Sequence, residues 1–241
     1  MIAEPLIAHR GCALLRPENT LAAMTFTRTL GIGWVEIDAN LLGDGTPIMF
    51  HDDVLDRLTP ASGHLRDQRW QTVCDLDVGS HFGAEYHAER IPTLVQAITH
   101  IRDLGLGLNL EIKVYPHFTA QQIVTAVIAV LDDQWLDYDR LIISSFSTEA
   151  LQLLRAQRPH WPLGHLCEAV PDHWPEIAND LSLVSLHCDQ KQLQAAQARA
   201  IKAAGLELYS YTVNDPARGR ALRDMGVDGL ITDNPLLFGT S

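Results

Sequence analysis

Closely spaced cysteines are missing from this sequence. Its four cysteines, Cys12, Cys74, Cys167 and Cys188, are far apart and form no CxxC pair. This excludes a zinc ribbon or a disulfide scaffold and fits a reduced cytoplasmic protein. No apolar run reaches the ~18 residues that a membrane span requires. The opening Met1-Ile2-Ala3-Glu4-Pro5 has neither a basic n-region nor an apolar h-region, so no secretory signal is expected. Positive charge is scarce: 18 Lys and Arg stand against 30 Asp and Glu, for a net charge of −12. Such a surface repels nucleic-acid backbones and anionic bilayers, so neither nucleic acid nor membrane is expected as a partner. Also absent are a Gly-rich phosphate turn of the Rossmann or P-loop type, internal repeats and low-complexity tracts.

What is present is apolar material for one large core, 46% of 241 residues. That length fits a single α/β barrel domain spanning the chain, residues 1–241. Strand-like runs occur at residues 6–9, 34–39, 47–51, 108–114, 140–146, 163–167, 183–188, 208–213 and 229–232. Helical periodicity occupies 20–30, 93–104, 119–134, 148–157, 191–204 and 216–225. Gly31, Gly105, Gly205 and Gly226 each follow a periodic run, where a helix needs a left-handed C′ residue. Thr119 with Gln122 predicts a capping box, and Asp215-Pro216 an N-cap followed by proline at the first helical position. Strands alternating with helices imply a parallel sheet covered by helices. The missing phosphate turn favours a closed (β/α)8 TIM-type barrel over an open doubly wound sheet. Nine strand candidates compete for eight places. The surplus falls either near residues 34–51, where no helix separates two runs, or at the weak run around Leu163. Residues 53–91 are polar and irregular, and a loop this long is expected to be a functional insertion over the barrel's active face.

Active sites of such barrels form where strands deliver polar residues to the C-terminal rim. Five places qualify: His9-Arg10-Gly11, Glu36-x-Asp38, His51-Asp52, Glu111-x-Lys113 and Asn214. Glu36 and Asp38 are two apart on a strand and share a face; Val35 and Ile37 take the other face, toward the helices. Glu111 repeats the pattern. Three inward carboxylates need a cation or protons between them. Without a cysteine they favour a hard ion, Mg²⁺ or Ca²⁺. The bland alternative is a set of buried salt bridges, Glu36 or Asp38 with Arg10 and Lys113. His9 and His51 close apolar strands and make a general acid and general base. Arg10 offers a planar fork for phosphate, and Lys113 a point charge beside it. Together these are the parts that phosphoester hydrolysis needs. Asn19 and Thr20 open the first helix as an N-cap or as site residues. Ser144 and Ser145 lack the Gly-x-Ser-x-Gly elbow of a nucleophile. The other nine histidines, His64 and His117 among them, read as surface or packing residues on the insertion, helices and loops.

These residues resemble the glycerophosphodiester phosphodiesterase family. The matching pieces are His9-Arg10-Gly11, Pro17-Glu18-Asn19-Thr20, Glu36-x-Asp38, His51-Asp52-Asp53, Ile91-Pro92-Thr93-Leu94, Glu111-Ile112-Lys113, Ser145-Phe146, Tyr211-Thr212-Val213-Asn214 and Ile231-Thr232-Asp233-Asn234-Pro235, in family order. The resemblance implies metal-dependent hydrolysis of glycerophosphodiesters to sn-glycerol 3-phosphate and an alcohol. By position, Glu36, Asp38 and Glu111 resemble the metal ligands, His9 and His51 the acid/base pair, and Arg10 and Lys113 the phosphate contacts. Tyr211 stands where many members carry tryptophan, which keeps an aromatic wall and adds a hydroxyl. A phospholipase acting on intact lipids and a sugar-phosphate aldolase or isomerase barrel are the alternatives, the latter needing Lys113 as a Schiff base. The aromatics of the insertion, Trp70, Phe82 and Tyr86, either form its own small core or face a cationic leaving alcohol. Oligomeric state is not readable from the residues.

Overall fold

The computed structural model describes residues 6–239; the Met1–Pro5 stretch, where no secretory signal is expected, lies outside them. Its elements in chain order are β1 (Leu6–His9), α1 (Leu21–Thr29), β2 (Trp34–Leu41), β3 (Pro47–Met49), α2 (Trp70–Val73), α3 (Leu94–Asp103), β4 (Gly107–Ile112), α4 (Ala120–Gln134), β5 (Leu141–Ser145), α5 (Thr148–Gln157), β6 (Leu163–Cys167), α6 (Trp174–Asp180), β7 (Ser185–Asp189), α7 (Ala195–Ala203), β8 (Glu207–Tyr211), α8 (Pro216–Asp224) and β9 (Gly229–Thr232). Eight strands, all but β3, pair in parallel around a closed ring, with β1 joined to both β2 and β9. The fold is a (β/α)8 TIM-type barrel.

The helices begin and end where local chemistry requires. Thr119 accepts from the Gln122 amide while the Gln122 side chain accepts from the Thr119 amide, and Asp215 caps α8 through the Ala217 amide at 2.8 Å. All four C′ glycines adopt positive φ. α6 is the barrel helix that periodicity does not predict. It has seven residues with Pro175 in its first turn, and it lays only the part-buried Trp174, Ile177 and Ala178 against the core, a stripe too short to read as a period.

Strand alternation divides the interior from the helix layer. Val35, Ile37, Leu108, Leu110 and Ile143 point outward and pack with Ile98, Ile101, Val124, Val127 and Leu151 of the surrounding helices. Inside, Ile7, Trp34, Ile142, Tyr209 and Ile231 fill the floor below the carboxylates. Gly107 is required there: a Cβ would come within 2.4 Å of the Trp34 indole. This floor is a packed layer of a closed barrel, and Ile142→Ala would cost roughly 2–5 kcal/mol.

The surplus strand is β3. β2 runs past the rim, and β3 turns back antiparallel along its end, with Ala39 opposite Met49 and Leu41 opposite Pro47. His51 is therefore not carried up to the rim by a barrel strand, as its sequence context suggests. It is brought back down by a hairpin, locked by the Phe50 amide donating to Asp38 O at 3.1 Å. The hairpin and the following segment share a second core of Leu42, Ile48, Phe50, Leu55, Leu58, Leu65, Val73, Val78 and Ile91, with Trp70 against it. Phe82 and Tyr86 meet edge to face, centroids 5.7 Å apart. Among the described residues no helix is long and apolar enough to cross a membrane.

Candidate active site

Strand register decides which polar side chains meet. His9 is level with Glu36, Glu36 with Asn109, Asp38 with Glu111, and Glu111 with Ser144. Two layers of inward positions thus stack His9, Glu36 and Asn109 beneath Asp38, Glu111 and Ser144. Glu36, Asp38 and Glu111 are all buried, and each places a carboxylate oxygen within 4.8 Å of the other two.

The cations compensate this charge unevenly. Lys113 Nζ lies 2.5 Å from Glu111 Oε1 and 3.1 Å from Asp38 Oδ1. Arg10 donates to Glu18 at 2.8 Å, while its Nε, 3.4 Å from Asp38 Oδ2, has no hydrogen-bond acceptor. Burial works against ionising Asp38, but Lys113 and Arg10 outweigh it and hold this carboxyl well below the usual range. Glu36 fares differently. Burial, then the charges of Asp38 and Glu111, push it well above its ordinary value; Arg10 N–H bonds Oε2 at 3.1 Å, and Oε1 has no partner. Burial also raises Glu111. Salt bridges account for Asp38 and Glu111 and leave Glu36 as a buried acceptor short of positive charge. A divalent ion with oxygen ligands fits that donor set.

Each histidine is backed by a carboxylate. His9 Nδ1 is 2.5 Å from Asp233 Oδ1, and Asp233 Oδ2 accepts from Asn214 Nδ2 at 2.7 Å. His51 Nδ1 is 2.7 Å from Asp52 Oδ1. Despite burial, contacts with His9 lower Asp233 and contacts with His51 and Arg57 lower Asp52. An ionised carboxylate can only accept, so both rings carry their proton on Nδ1 and turn Nε2 away from the carboxylate. His9 Nε2 lies 3.9 Å from Glu36 Oε2. The loop after β1 is strained to achieve this, with φ of 48°, 77° and 70° at Arg10, Gly11 and Cys12. A Cβ at Gly11 would strike Met24 and Ala23 at 2.6 and 2.7 Å.

Several participants escape sequence reasoning. Arg57, from the insertion, forks onto Glu18 and Asp52 with four contacts of 2.7–3.0 Å, so the segment reaches the carboxylate behind His51 and does not merely overhang the rim. A lone arginine in an irregular stretch gives no signal for this. Asn19 and Thr20 divide the two roles open to them: Thr20 caps α1, while Asn19, at φ 53°, donates to Asp38 Oδ2 at 2.8 Å. The Asn109 side-chain nitrogen is buried without a partner. A small cavity of about 30 Å³ opens above these groups, lined by His9, Glu36, Asn109, Glu111, Ser144, Phe146, Leu166, Tyr211 and Ile231.

Tyr211 presents its ring to the cavity but spends its hydroxyl on Cys167 O at 2.9 Å. The aromatic wall is Phe146 against Tyr211, centroids 6.0 Å apart. Trp70, Phe82 and Tyr86 do not line the cavity. Ser144 and Ser145 hydroxyls donate inward to Asn109 Oδ1 and Ile112 O. His165 and His187 stand on barrel strands, contrary to the placement expected for them, and both are buried.

A parallel barrel whose rim joins buried carboxylates, two cations and two carboxylate-backed imidazoles holds the groups that acid–base chemistry on an anionic substrate would need. The sequence profile of the Glycerophosphoryl diester phosphodiesterase family matches residues 9–237. A glycerophosphodiester phosphodiesterase of Caldanaerobacter subterraneus subsp. tengcongensis is 32% identical over 95% of this chain and 94% of its own. A phosphodiesterase from Oleispira antarctica, solved with the product sn-glycerol-3-phosphate, superposes with a TM-score of 0.94 at 37% identity, covering 98% of this chain and 95% of its own. The glycerophosphodiester phosphodiesterase of Thermotoga maritima superposes at 0.75 with 26% identity, over 97% of this chain and 96% of its own. The chain belongs to the glycerophosphoryl diester phosphodiesterase family.

Proposed function

We propose that this barrel, as one domain with the insertion at about 53–91, hydrolyses water-soluble glycerophosphodiesters to sn-glycerol 3-phosphate and an alcohol. The observation that carries this reading is the pair of imidazoles, each fixed by an ionised carboxylate, at the rim of a buried acidic cluster with a cation on either side.

Glu36, Asp38 and Glu111 would hold one divalent cation, Mg²⁺ or Ca²⁺; the unpartnered Glu36 Oε1 supports this. When bound, it supplies positive charge to glycerol hydroxyls and a phosphate oxygen. The protein's own groups do the rest. Arg10, with its unused Nε–H, and Lys113 neutralise phosphate oxygens. One of His9 and His51 takes the proton from the attacking oxygen, either water or the substrate's own 2-hydroxyl. The other gives a proton to the alcohol oxygen as its bond to phosphorus breaks. Phe146 and Tyr211 shield the glycerol side from water.

Lys113 does not suit the aldolase alternative. A Schiff-base lysine needs a depressed pKa, whereas Asp38 and Glu111 overcome burial and raise this one. The four free cysteines support a reducing, cytoplasmic setting.

The test is hydrolysis of glycerophosphocholine coupled to glycerol 3-phosphate detection, with and without EDTA, against phospholipid vesicles as contrast. Release of glycerol 3-phosphate that EDTA abolishes is expected. Activity on vesicles alone would overturn the assignment.

A further inference from the structure

A second group of side chains of metal-ligating type stands on residues outside the acidic cluster. Asp53, His64 and His117 each bring one ligand atom within 4.8 Å of the other two. Asp53 Oδ2 is 3.1 Å from His64 Nδ1 and 3.3 Å from His117 Nε2, and the two rings meet edge to face with centroids 5.0 Å apart. Three distant parts of the chain supply them. Asp53 follows the β3 return, His64 precedes a 3₁₀ turn at Leu65–Asp67 in the insertion, and His117 sits between β4 and α4. The backbone fixes the first two, through Leu65 N–H to Asp53 O at 2.9 Å and a bridge between Val54 and His64.

Asp53 adds an independent observation. Both imidazoles converge on Oδ2, while Oδ1 is buried with no partner. Hydrogen bonding alone favours sharing two donors between the two oxygens of a carboxylate, since a buried acceptor left empty is costly. Convergence on one point is what a common cation imposes. Ligands 2.0–2.1 Å from a tetrahedral ion stand about 3.3 Å apart. Two imidazoles and one carboxylate match zinc and its neighbours; Mg²⁺ and Ca²⁺ prefer oxygen throughout.

We propose that Asp53, His64 and His117 bind one divalent transition-metal ion of the zinc type, with the fourth position open to solvent. The site ties the insertion to the β4–α4 loop two residues beyond His51. It does not depend on the reaction assigned to the barrel rim. His64 is 43% exposed at its side chain, which leaves a way in.

Arg66 stands against the ion. Its Nη1 donates to His117 Nδ1 at 2.9 Å, so the His117 proton sits on Nε2, facing Asp53. Ligation through Nε2 needs that proton on Nδ1, where it would oppose the Arg66 N–H. The guanidinium must therefore swing away, and as a half-exposed side chain it has room to do so. Removing it relieves both a competing hydrogen bond and a like charge.

Equilibrium dialysis with Zn²⁺ in excess Mg²⁺, paired with visible spectra of the Co²⁺-loaded protein, tests this. One Zn²⁺ per chain is expected, with tetrahedral Co²⁺ bands. His64→Ala and His117→Ala should each weaken binding by at least ~10²-fold, beyond the ~10–100-fold typical of losing an outer-shell partner. Arg66→Ala should tighten it several-fold, and Glu36→Gln should leave it unchanged. Zn²⁺ should raise the Tm of the parent protein but not of the double histidine variant. Absence of stoichiometric zinc, or zinc lost in Glu36→Gln yet kept in the double variant, overturns the proposal.

Discussion

Asp233→Asn is a one-atom change with a large predicted effect. Asp233 holds His9 through Oδ1 at 2.5 Å and Asn214 through Oδ2 at 2.7 Å. Asn214 cannot turn over to accommodate a new amide, because its own Oδ1 already accepts from Thr232 Oγ1 and from the Asp233 amide, both at 3.0 Å. Its NH₂ thus keeps facing position 233 and demands an oxygen there. An asparagine must then aim its NH₂ at His9 Nδ1. That nitrogen becomes the acceptor, and the imidazole proton moves to Nε2. A base with a protonated Nε2 cannot take a proton, and an acid without the carboxylate loses the partner of its imidazolium. Loss of a charge-assisted hydrogen bond alone is worth ~1.5–3 kcal/mol, or roughly 10–10²-fold in rate. Reversing the tautomer adds to this, and the same exchange behind the histidine of a serine protease costs ~10⁴-fold. Asp233→Ala leaves Nδ1 free to choose its proton, so asparagine should be the worse substitution despite being the better mimic. The assay is kcat for glycerophosphocholine hydrolysis by both variants, with metal content and Tm verified. Equal losses, or an asparagine variant within a few-fold of the parent, would refute the tautomer reasoning.

Metal removal by excess chelator should abolish turnover and added Mg²⁺ or Ca²⁺ restore it; Glu36→Gln should lose the metal-induced rise in Tm while the metal-free variant is at least as stable as its parent, since an amide replaces a carboxyl whose ionisation burial and the charges of Asp38 and Glu111 disfavour. Arg57→Ala should lower kcat about tenfold, equivalent to ~1.4 kcal/mol of lost positioning, with under ~1 kcal/mol of stability because Arg57 is half exposed; unchanged kcat would make the insertion a scaffold only. Phe146→Ala should raise KM several-fold with kcat little changed, measured across glycerophosphocholine, glycerophosphoethanolamine and glycerophosphoglycerol, while Phe82→Ala should change neither. Burial depresses His187 to about 3 from 6.5. The unfolded chain therefore binds a proton that the folded one refuses, and this group's stabilisation is complete above pH 6.5 and lost as pH falls toward 3. Unfolding in urea across that window should show the parent losing up to ~1.4 kcal/mol per pH unit more than His187→Gln; parallel curves would contradict the burial argument.

Strand alternation made most of this site legible in the sequence. Glu36-x-Asp38 and Glu111-x-Lys113 point inward because hydrophobic neighbours claim the helix side, and parallel pairing needs only the correct register to set Asp38 level with Glu111. The helix boundaries were legible for a related reason: caps and C′ glycines are local chemistry and do not wait for tertiary context. The β3 hairpin was ambiguous because an antiparallel return and a ninth barrel strand share the same apolar pattern, and only the pairing of Ala39 with Met49 distinguishes them. Residues that act through another residue left no trace of the partner each would reach. Arg57 gains its role by reaching Glu18 across 39 positions, and Asp233 meets His9 across 224. His64 and His117 are the extreme case. Each alone is an ordinary half-buried loop histidine, and it takes the fold to put both on one oxygen of Asp53. Periodicity reports which face a side chain takes and is silent on what that face will meet. The signals missed here are therefore those of loops, where no period constrains the chain and a single long side chain completes a contact.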